Sequence, residues 1–253
     1  MGHWRDLRRD GRVSWLEGKV IFITGGASGL GREVALQSAA IGAKVAIIDM
    51  NPARLEATRA EVAAIAGDCF AAKVDVTNEA DVAGVISQIV AKWGQLDTVV
   101  NSAGVFFRGP IEETPMEQFD RVYAVNVRGL YLVCREAVKV MLPRKSGHLI
   151  NIASIAAERP ILHESVYSSS KWAVRGIGLN LAIELGSRGI RVSTILPGGM
   201  DTTFWENDPR KVSGAWDTSR MLRGEHVAEA IVKIASLPPE VTVREAQVYM
   251  PGT

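Results

Sequence analysis

The sequence predicts an α/β fold built on a doubly wound parallel sheet in a single domain, and three observations carry that expectation. Short apolar runs rich in β-branched residues recur along the chain, and each is followed by a stretch with helical patterning. The runs are apolar throughout rather than alternating, as strands covered on both faces must be. The 253 residues, 47% hydrophobic and 23% charged, suffice for one large packed domain.

The elements follow in order. KVIFIT (19–24) leads into a helix over GREVALQSAAIGA, and KVAIID (44–49) leads into PARLEATRAEVAAIA. CFAAKVDV (69–76) precedes EADVAGVISQIVAKWG, and LDTVVNSAG (96–104) precedes a long amphipathic stretch from about Met116 to Leu142. GHLINIAS (147–154) precedes a helix carrying Tyr167 and Lys171, and IRVSTILPG (190–198) follows it. A last helix near Glu225–Ser236 precedes AQVYM (246–250). Crossovers between such parallel strands should be right-handed. Residues 1–17 read as a solvated extension and 18–253 as the folded domain. Within it, Gly199–Gly224 is long for a connection in a compact domain, which marks it as a lid.

Composition excludes several function classes. A net charge of +1 offers no field for nucleic acid or an anionic membrane. No apolar run approaches the roughly 18 residues of a membrane span, and the basic N-terminus lacks the apolar core of a secretory signal. Cys69 and Cys134 sit in separate apolar segments without CxxC spacing or clustered histidines. No disulfide framework or metal site is therefore expected, and a reducing cytoplasm is the expected setting.

TGGASGLG (24–31) joins the first strand to the first helix. Its Gly25, Gly29 and Gly31, with Ser28 and Leu30 between them, suit a tight turn that brings backbone close to a pyrophosphate at a helix N-terminus. Asp49 ends the second strand, where a carboxylate accepts hydrogen bonds from ribose hydroxyls and repels a 2′-phosphate. Neither Met50 nor Ser28 supplies a cation to offset that repulsion, although Arg32 stands nearby, so NAD(H) is expected over NADP(H). Asp75 and Val76 close the third strand, at the expected adenine edge, and Asn101, Ala103 and Gly104 of NSAG close the fourth. Consecutive strand ends on one crevice make a Rossmann-type dinucleotide site.

Ser154 ends the fifth strand, 13 residues before Tyr167, and Tyr167 and Lys171 share one helix face at i,i+4 spacing. TGGASGLG, Asp49, the DV at 75–76, NSAG, Asn126, Ser154, YSSSK (167–171) and PGGMDT (197–202) together resemble the short-chain dehydrogenase/reductase family. The resemblance runs from about Gly18 to Thr202 and more loosely beyond; the C-terminal VTVREAQVYMPGT lacks the DGG-type ending common in the family. It implies a nicotinamide cofactor, a homotetramer or homodimer, and a Ser154–Tyr167–Lys171 catalytic set. It also implies that Asn126 holds a water linking Lys171 to solvent. Pro197, Gly198, Met200 and Thr202 would carry the nicotinamide end, with Thr202 on the carboxamide.

An unperturbed phenol has a pKa of about 10. A neighbouring ammonium favours its ionised form, so Lys171 is expected to lower the Tyr167 pKa. Tyr167 would exchange a proton with a substrate alcohol or carbonyl, and Ser154 would hold the same oxygen. Lys171 would also hold the nicotinamide ribose. Phe106 and Phe107 are candidates for one pocket wall, and Phe204, Trp205, Trp216, Met221 and Leu222 for the lid; His163 precedes Tyr167 by four residues. The reading is hydride transfer between NAD(H) and a small to medium, largely apolar alcohol or ketone. Two alternatives stand beside it. One is an NADP(H)-linked reductase of acyl-thioester or sugar carbonyls. The other is a non-catalytic nucleotide sensor, against which the intact Ser154, Tyr167 and Lys171 argue.

Overall fold

The computed structural model describes residues 15–206, 218 and 221–251. Seven strands form one all-parallel sheet: β1 (Val20–Thr24), β2 (Lys44–Asp49), β3 (Phe70–Lys73), β4 (Thr98–Asn101), β5 (Gly147–Ile152), β6 (Ile190–Pro197) and β9 (Glu245–Val248). Their spatial order is β3-β2-β1-β4-β5-β6-β9, so the chain reverses its direction of travel across the sheet between β3 and β4. The crevice at that reversal, at the carboxyl ends of the strands, is where such sheets bind ligands.

The central strands are largely buried because both faces are covered. Ile21 and Ile23 of β1 join one core cluster with Val34 and Ala35 of α1 (Gly29–Ala40), Leu55 and Val62 of α2 (Pro52–Ala66), and Ile231 and Val232 of α7 (Gly224–Ala235). Val20 and Phe22 face the other way. They join Val82 and Ile86 of α3 (Glu79–Trp93), Val133 of α5 (Leu130–Met141), and Val174 and Leu185 of α6 (Ser165–Gly186). Local chemistry sets the helix starts: Asn51 caps α2 by accepting from Arg54 N–H at 3.0 Å, with Pro52 at its first position. Asn78 caps α3 in the same way. No helix among the described residues is long and apolar enough to cross a membrane.

Several boundaries differ from the sequence reading. The third and fourth strands are shorter than expected, so Asp75 and Val76 lie in the turn after β3; Asp75 Oδ1 accepts from the Thr77 backbone and hydroxyl there, both at 2.8 Å. The amphipathic stretch from Met116 is a continuous rod interrupted by a π-helical segment, Ala124–Gly129, between α4 (Met116–Tyr123) and α5. Leu16 is fully buried in the core, which brings the end of the expected N-terminal extension into the packed body. The expected lid contains β7 (Met200–Asp201), a 3₁₀ turn over Thr203–Trp205 and β8 (Leu222–Arg223), which pairs with β7. Its residues 207–217 and 219–220, including the candidate Trp216, lie outside the described residues.

α6 lies against β6 at a point where only glycine fits: a Cβ on Gly178 would stand 2.0 Å from Thr194 Oγ1. Gly178→Ala is expected to destabilise the fold by about 1–3 kcal/mol through overpacking. Adding Thr194→Ala, which removes the obstructing hydroxyl, should restore much of that loss. Urea denaturation of the two variants and the wild type measures both effects.

Candidate active site

A cleft of about 620 Å³ runs along the carboxyl ends of the strands, from Asp49 at one end to Ser154, Tyr167 and Lys171 at the other. Gly25, Ser28, Gly29 and Leu30 form its floor beside Asp49. Gly25 has φ +64°, and a Cβ there would come within 2.9 Å of the Ala103 backbone. Gly31 does not border the cleft. Its bare Cα instead lets the helix meet the turn, since a Cβ would lie 2.2 Å from the Gly25 carbonyl oxygen.

The start of α1 differs from that of its neighbours. Ser28 at its N-cap makes no side-chain capping bond, whereas Asn51 and Asn78 cap α2 and α3. First-turn N–H groups left without a side-chain cap, at the positive end of a helix dipole and floored by glycine, fit the pyrophosphate of a dinucleotide. Asp49 is fixed by two backbone donors, Ala27 N–H to Oδ2 at 3.2 Å and Asn51 N–H to Oδ1 at 2.9 Å. Each oxygen keeps acceptor capacity toward the cleft, as a ribose diol requires.

The other candidate cofactor residues divide between the cleft and its surroundings. Asp75 and Val76 do not line the cleft, and neither does Asn101. Asn101 is buried beneath the site, its Nδ2 donating to Asn151 Oδ1 at 2.9 Å and to Cys134 Sγ at 3.2 Å. Ala103 and Gly104 do line it, and Ala103 N–H donates to Thr24 Oγ1 at 3.0 Å. So do Pro197, Gly198, Met200 and Thr202. Arg32 pairs with Glu33 and Glu61 and does not line the cleft. Arg54 lines the cleft instead.

At the opposite end, α6 brings Tyr167 and Lys171 onto one face, 5% and 6% exposed. Lys171 Nζ donates to the carbonyl of Ile152, the last residue of β5, at 2.9 Å. It sits 5.7 Å from the Tyr167 ring centroid. Ser154, just past the same strand, is extended (φ −172°), and its Oγ accepts from Ala156 N–H at 3.1 Å, which fixes its position over the 3₁₀ turn Ile155–Ala157. The side chain of Asn126 closes on the segment after β4, accepting from Val105 N–H at 2.8 Å and donating to the Val105 carbonyl at 3.0 Å. Its Nδ2 also donates to Ser170 Oγ at 3.0 Å, and Ser170 donates to the Tyr167 carbonyl at 2.7 Å. Asn126 thus links the π-helical segment, the β4 edge and α6. The π-helical turn, a feature frequent at functional sites, sits where this linkage is made.

The electrostatics depart from the expectation. Burial pushes the Tyr167 phenol above its ordinary pKa; a hydrogen bond with Ser154 opposes the rise and the Glu164 carboxylate adds to it. Burial also lowers the Lys171 ammonium to about 8. Lys171 is therefore not what dominates the phenol in the protein alone. Desolvation penalises charge on both groups, and the ammonium is engaged with the Ile152 carbonyl.

An aromatic wall covers Tyr167. Phe106 stands 5.0 Å from it and 4.6 Å from Trp205, both edge-on, and Phe204 lies 6.0 Å from Tyr167 between centroids. Trp205 is anchored by Nε1–H donating to the Met200 carbonyl at 2.8 Å. Phe107 also lines the cleft, whereas Leu222 is buried in the core and Met221 and the exposed His163 stay outside the cleft. Residues that the sequence reading overlooked line it too: Arg54, Glu206, Arg108, Gln118 and Arg121. Of these, Arg54 carried a usable signal, five residues past Asp49 in the first turn of the next helix.

Comparison with known proteins gives a consistent result. The family model described as short chain dehydrogenase matches residues 19–213. Levodione reductase of Leifsonia aquatica is 36% identical over 197 residues, covering 77% of this chain and 74% of its own. Sorbitol dehydrogenase of Cereibacter sphaeroides is 34% identical over 250 residues, covering 92% and 96%. Among solved structures, the closed form of serine dehydrogenase complexed with NADP⁺ superposes with a TM-score of 0.84 at 28% identity, covering 90% of this chain and 94% of its own. The 3-ketoacyl-(acyl-carrier-protein) reductase from Brucella melitensis complexed with NADH gives 0.83 at 31% identity, covering 92% and 98%.

The lowered pKa of Lys171 has a measurable consequence. Between about 8 and its ordinary value of 10.5, the unfolded chain binds a proton at this site that the folded chain has released. Stability therefore gains a component that rises with pH across that window. Lys171→Met should remove the component, so the difference in unfolding free energy between wild type and variant should shift in favour of wild type from pH 7.5 to pH 9.5. Urea denaturation of both proteins at the two pH values checks the sign.

Proposed function

The chain belongs to the short-chain dehydrogenase family of oxidoreductases, and we propose that within it this protein is an NAD(H)-dependent alcohol dehydrogenase or ketone reductase. The observation that carries the cofactor assignment is the Asp49 carboxylate, fixed by two backbone donors at the cleft end opposite Tyr167. The aromatic wall of Phe106, Phe204 and Trp205 over Tyr167 supports a small to medium substrate with an apolar body. In this reading the segment 199–224 is the substrate lid.

A bound nicotinamide would supply the hydride, or accept it in the reverse direction. Gly25, Ser28, Gly29, Leu30 and Gly31 would build its pyrophosphate site. Asp49 would hold the adenosine ribose, and Pro197, Gly198, Met200 and Thr202 would border the nicotinamide end. The chain's own chemistry is proton transfer. In reduction, the Tyr167 hydroxyl gives its proton to the carbonyl oxygen as charge builds there; in oxidation, the phenolate takes the proton of the alcohol. Ser154 Oγ–H donates to the same oxygen and stabilises its charge. Lys171 is held on the Ile152 carbonyl, with Nζ donors left for the nicotinamide ribose. Because burial alone disfavours the phenolate, oxidation needs the positive charge of Lys171 and of an oxidised nicotinamide beside it. Asn126 fixes the distance between these parts.

Two further parts of the reading concern the setting. Helix α6 turns Trp172, Leu179 and Ile183 outward, Ile183 with 75% of its surface exposed, and this apolar stripe supports a homodimer or homotetramer. Cys69 and Cys134 are buried free thiols in different core clusters, which suits a reducing cytoplasm.

Tyr167→Phe keeps the ring packing and removes the proton. Turnover should fall by at least about a hundredfold, the lower range for general acid–base catalysis, while NADH affinity measured by nicotinamide fluorescence changes little. Retained turnover would take Tyr167 out of its role. Asp49→Ala should weaken NADH binding by about ten- to a hundredfold, as expected for loss of a charged hydrogen bond, and relax discrimination against NADPH. A wild type that prefers NADPH in the same titration would overturn the NAD(H) assignment.

A further inference from the structure

Asp49 is proposed as one determinant at the adenosine end of the cleft, and Arg54, five residues later, lines the same cleft. Arg54 rises from a turn built on the Asp49 carboxylate: Asn51 N–H donates to Asp49 Oδ1 at 2.9 Å, and Arg54 N–H donates to Asn51 Oδ1 at 3.0 Å. Three arginines line the cleft among the described residues. Arg108 follows β4 and Arg121 sits on α4, so Arg54 alone belongs to the element that follows Asp49. A guanidinium in that place is what the 2′-phosphate of NADPH needs.

The guanidinium is already engaged. Arg54 Nη2 donates to both carboxylate oxygens of Glu206, at 3.0 and 3.2 Å. Glu206 lies 152 residues away in sequence, directly after the turn carrying Phe204 and Trp205, and Trp205 is tied to the Met200 carbonyl. The segment that borders the opposite end of the cleft therefore places an acid against the cation beside Asp49. Both side chains are partly exposed, 45% and 43%, so the pair is weak in itself. Its effect is on what else Arg54 is available to bind.

We infer that Glu206 is a specificity-determining residue: by occupying Arg54 it withholds from a 2′-phosphate the cation adjacent to Asp49. This inference rests on the NAD(H) reading above and adds a masked cation to the repelling carboxylate. Glu206→Gln keeps the side-chain shape and removes the charge that holds the guanidinium. The test is titration of NADH and NADPH against wild type, Glu206→Gln, Arg54→Gln and the double variant, followed by nicotinamide fluorescence.

Glu206→Gln should tighten NADPH binding by about three- to fivefold, the size an exposed ion pair supports, with NADH Kd moving less than about twofold. Arg54→Gln alone should leave NADPH binding near wild type, and the double variant should return it there. An unchanged NADPH Kd in Glu206→Gln, or equal tightening of both cofactors, overturns the inference; so does a double variant that keeps the gain. The wild-type NADH to NADPH ratio tests the NAD(H) reading separately, because the inference depends only on how each variant departs from wild type.

Discussion

A buried ammonium bonded to the last carbonyl of a β-strand is the constraint on which this site depends. Lys171 is nearly inaccessible to water, and one of its three Nζ donors is held by the Ile152 carbonyl, which ties α6 to the end of β5. Ser154, two residues beyond that carbonyl, is thereby set against Tyr167, one helical turn before the lysine. The cost of burying the charge appears as a pKa drawn down to about 8, and the phenol beside it is driven the opposite way. Neither shift serves the chemistry unaided. Each describes a site whose low dielectric strengthens the effect of a positive charge that arrives with the cofactor.

The surrounding polar contacts extend the same lock. YSSSK is more than a tyrosine and a lysine at helical spacing, because Ser170 passes a hydrogen bond from Asn126 to the Tyr167 carbonyl. Asn126 in turn grips both polar groups of Val105, just past NSAG. Beneath them, Asn101 and Asn151 pair across β4 and β5 inside the core. Side chains that could be taken singly for solvated turn residues therefore form two linked groups: Asn126 and Ser170 join the end of β4, the π-helical segment and α6, and Asn101 and Asn151 join β4 to β5.

Much of this was legible in the residues themselves. The alternation of apolar runs with helical patterning predicts the sheet, and Gly25, Ser28, Gly29 and Leu30 of the turn at 24–31 border the cleft with Asp49, Ser154, Tyr167 and Lys171, while Gly31 supports the turn from behind. Those signals are local: periodicity, turn chemistry and fixed spacing. That the Asn101 side chain turns into the core is not visible in the residues, because successive residues at a strand end point to opposite sides and nothing local distinguishes them. Nor does spacing show that Asp75 Oδ1 is engaged by its own turn. The direction of the Tyr167 shift depends on burial, which spacing does not report. The pairing of Arg54 with Glu206 joins parts of the chain far apart in sequence, and only the folded arrangement brings them together.

The close fit of Gly178 against Thr194 separates what this scaffold must keep from what it is free to vary. α6 is seated closely on β6 at Gly178 and tied to β5 through Lys171, so the placement of Tyr167 and Lys171 is set by packing inside the fold. The facing wall is different: Phe204, Trp205 and Glu206 hang from a short turn held by side-chain contacts to Met200 and Arg54. Substitutions there alter the pocket without disturbing the sheet. Over evolutionary time, such a division lets one reaction be inherited intact while its clientele changes, with heritable novelty concentrated on a single flank of the molecule.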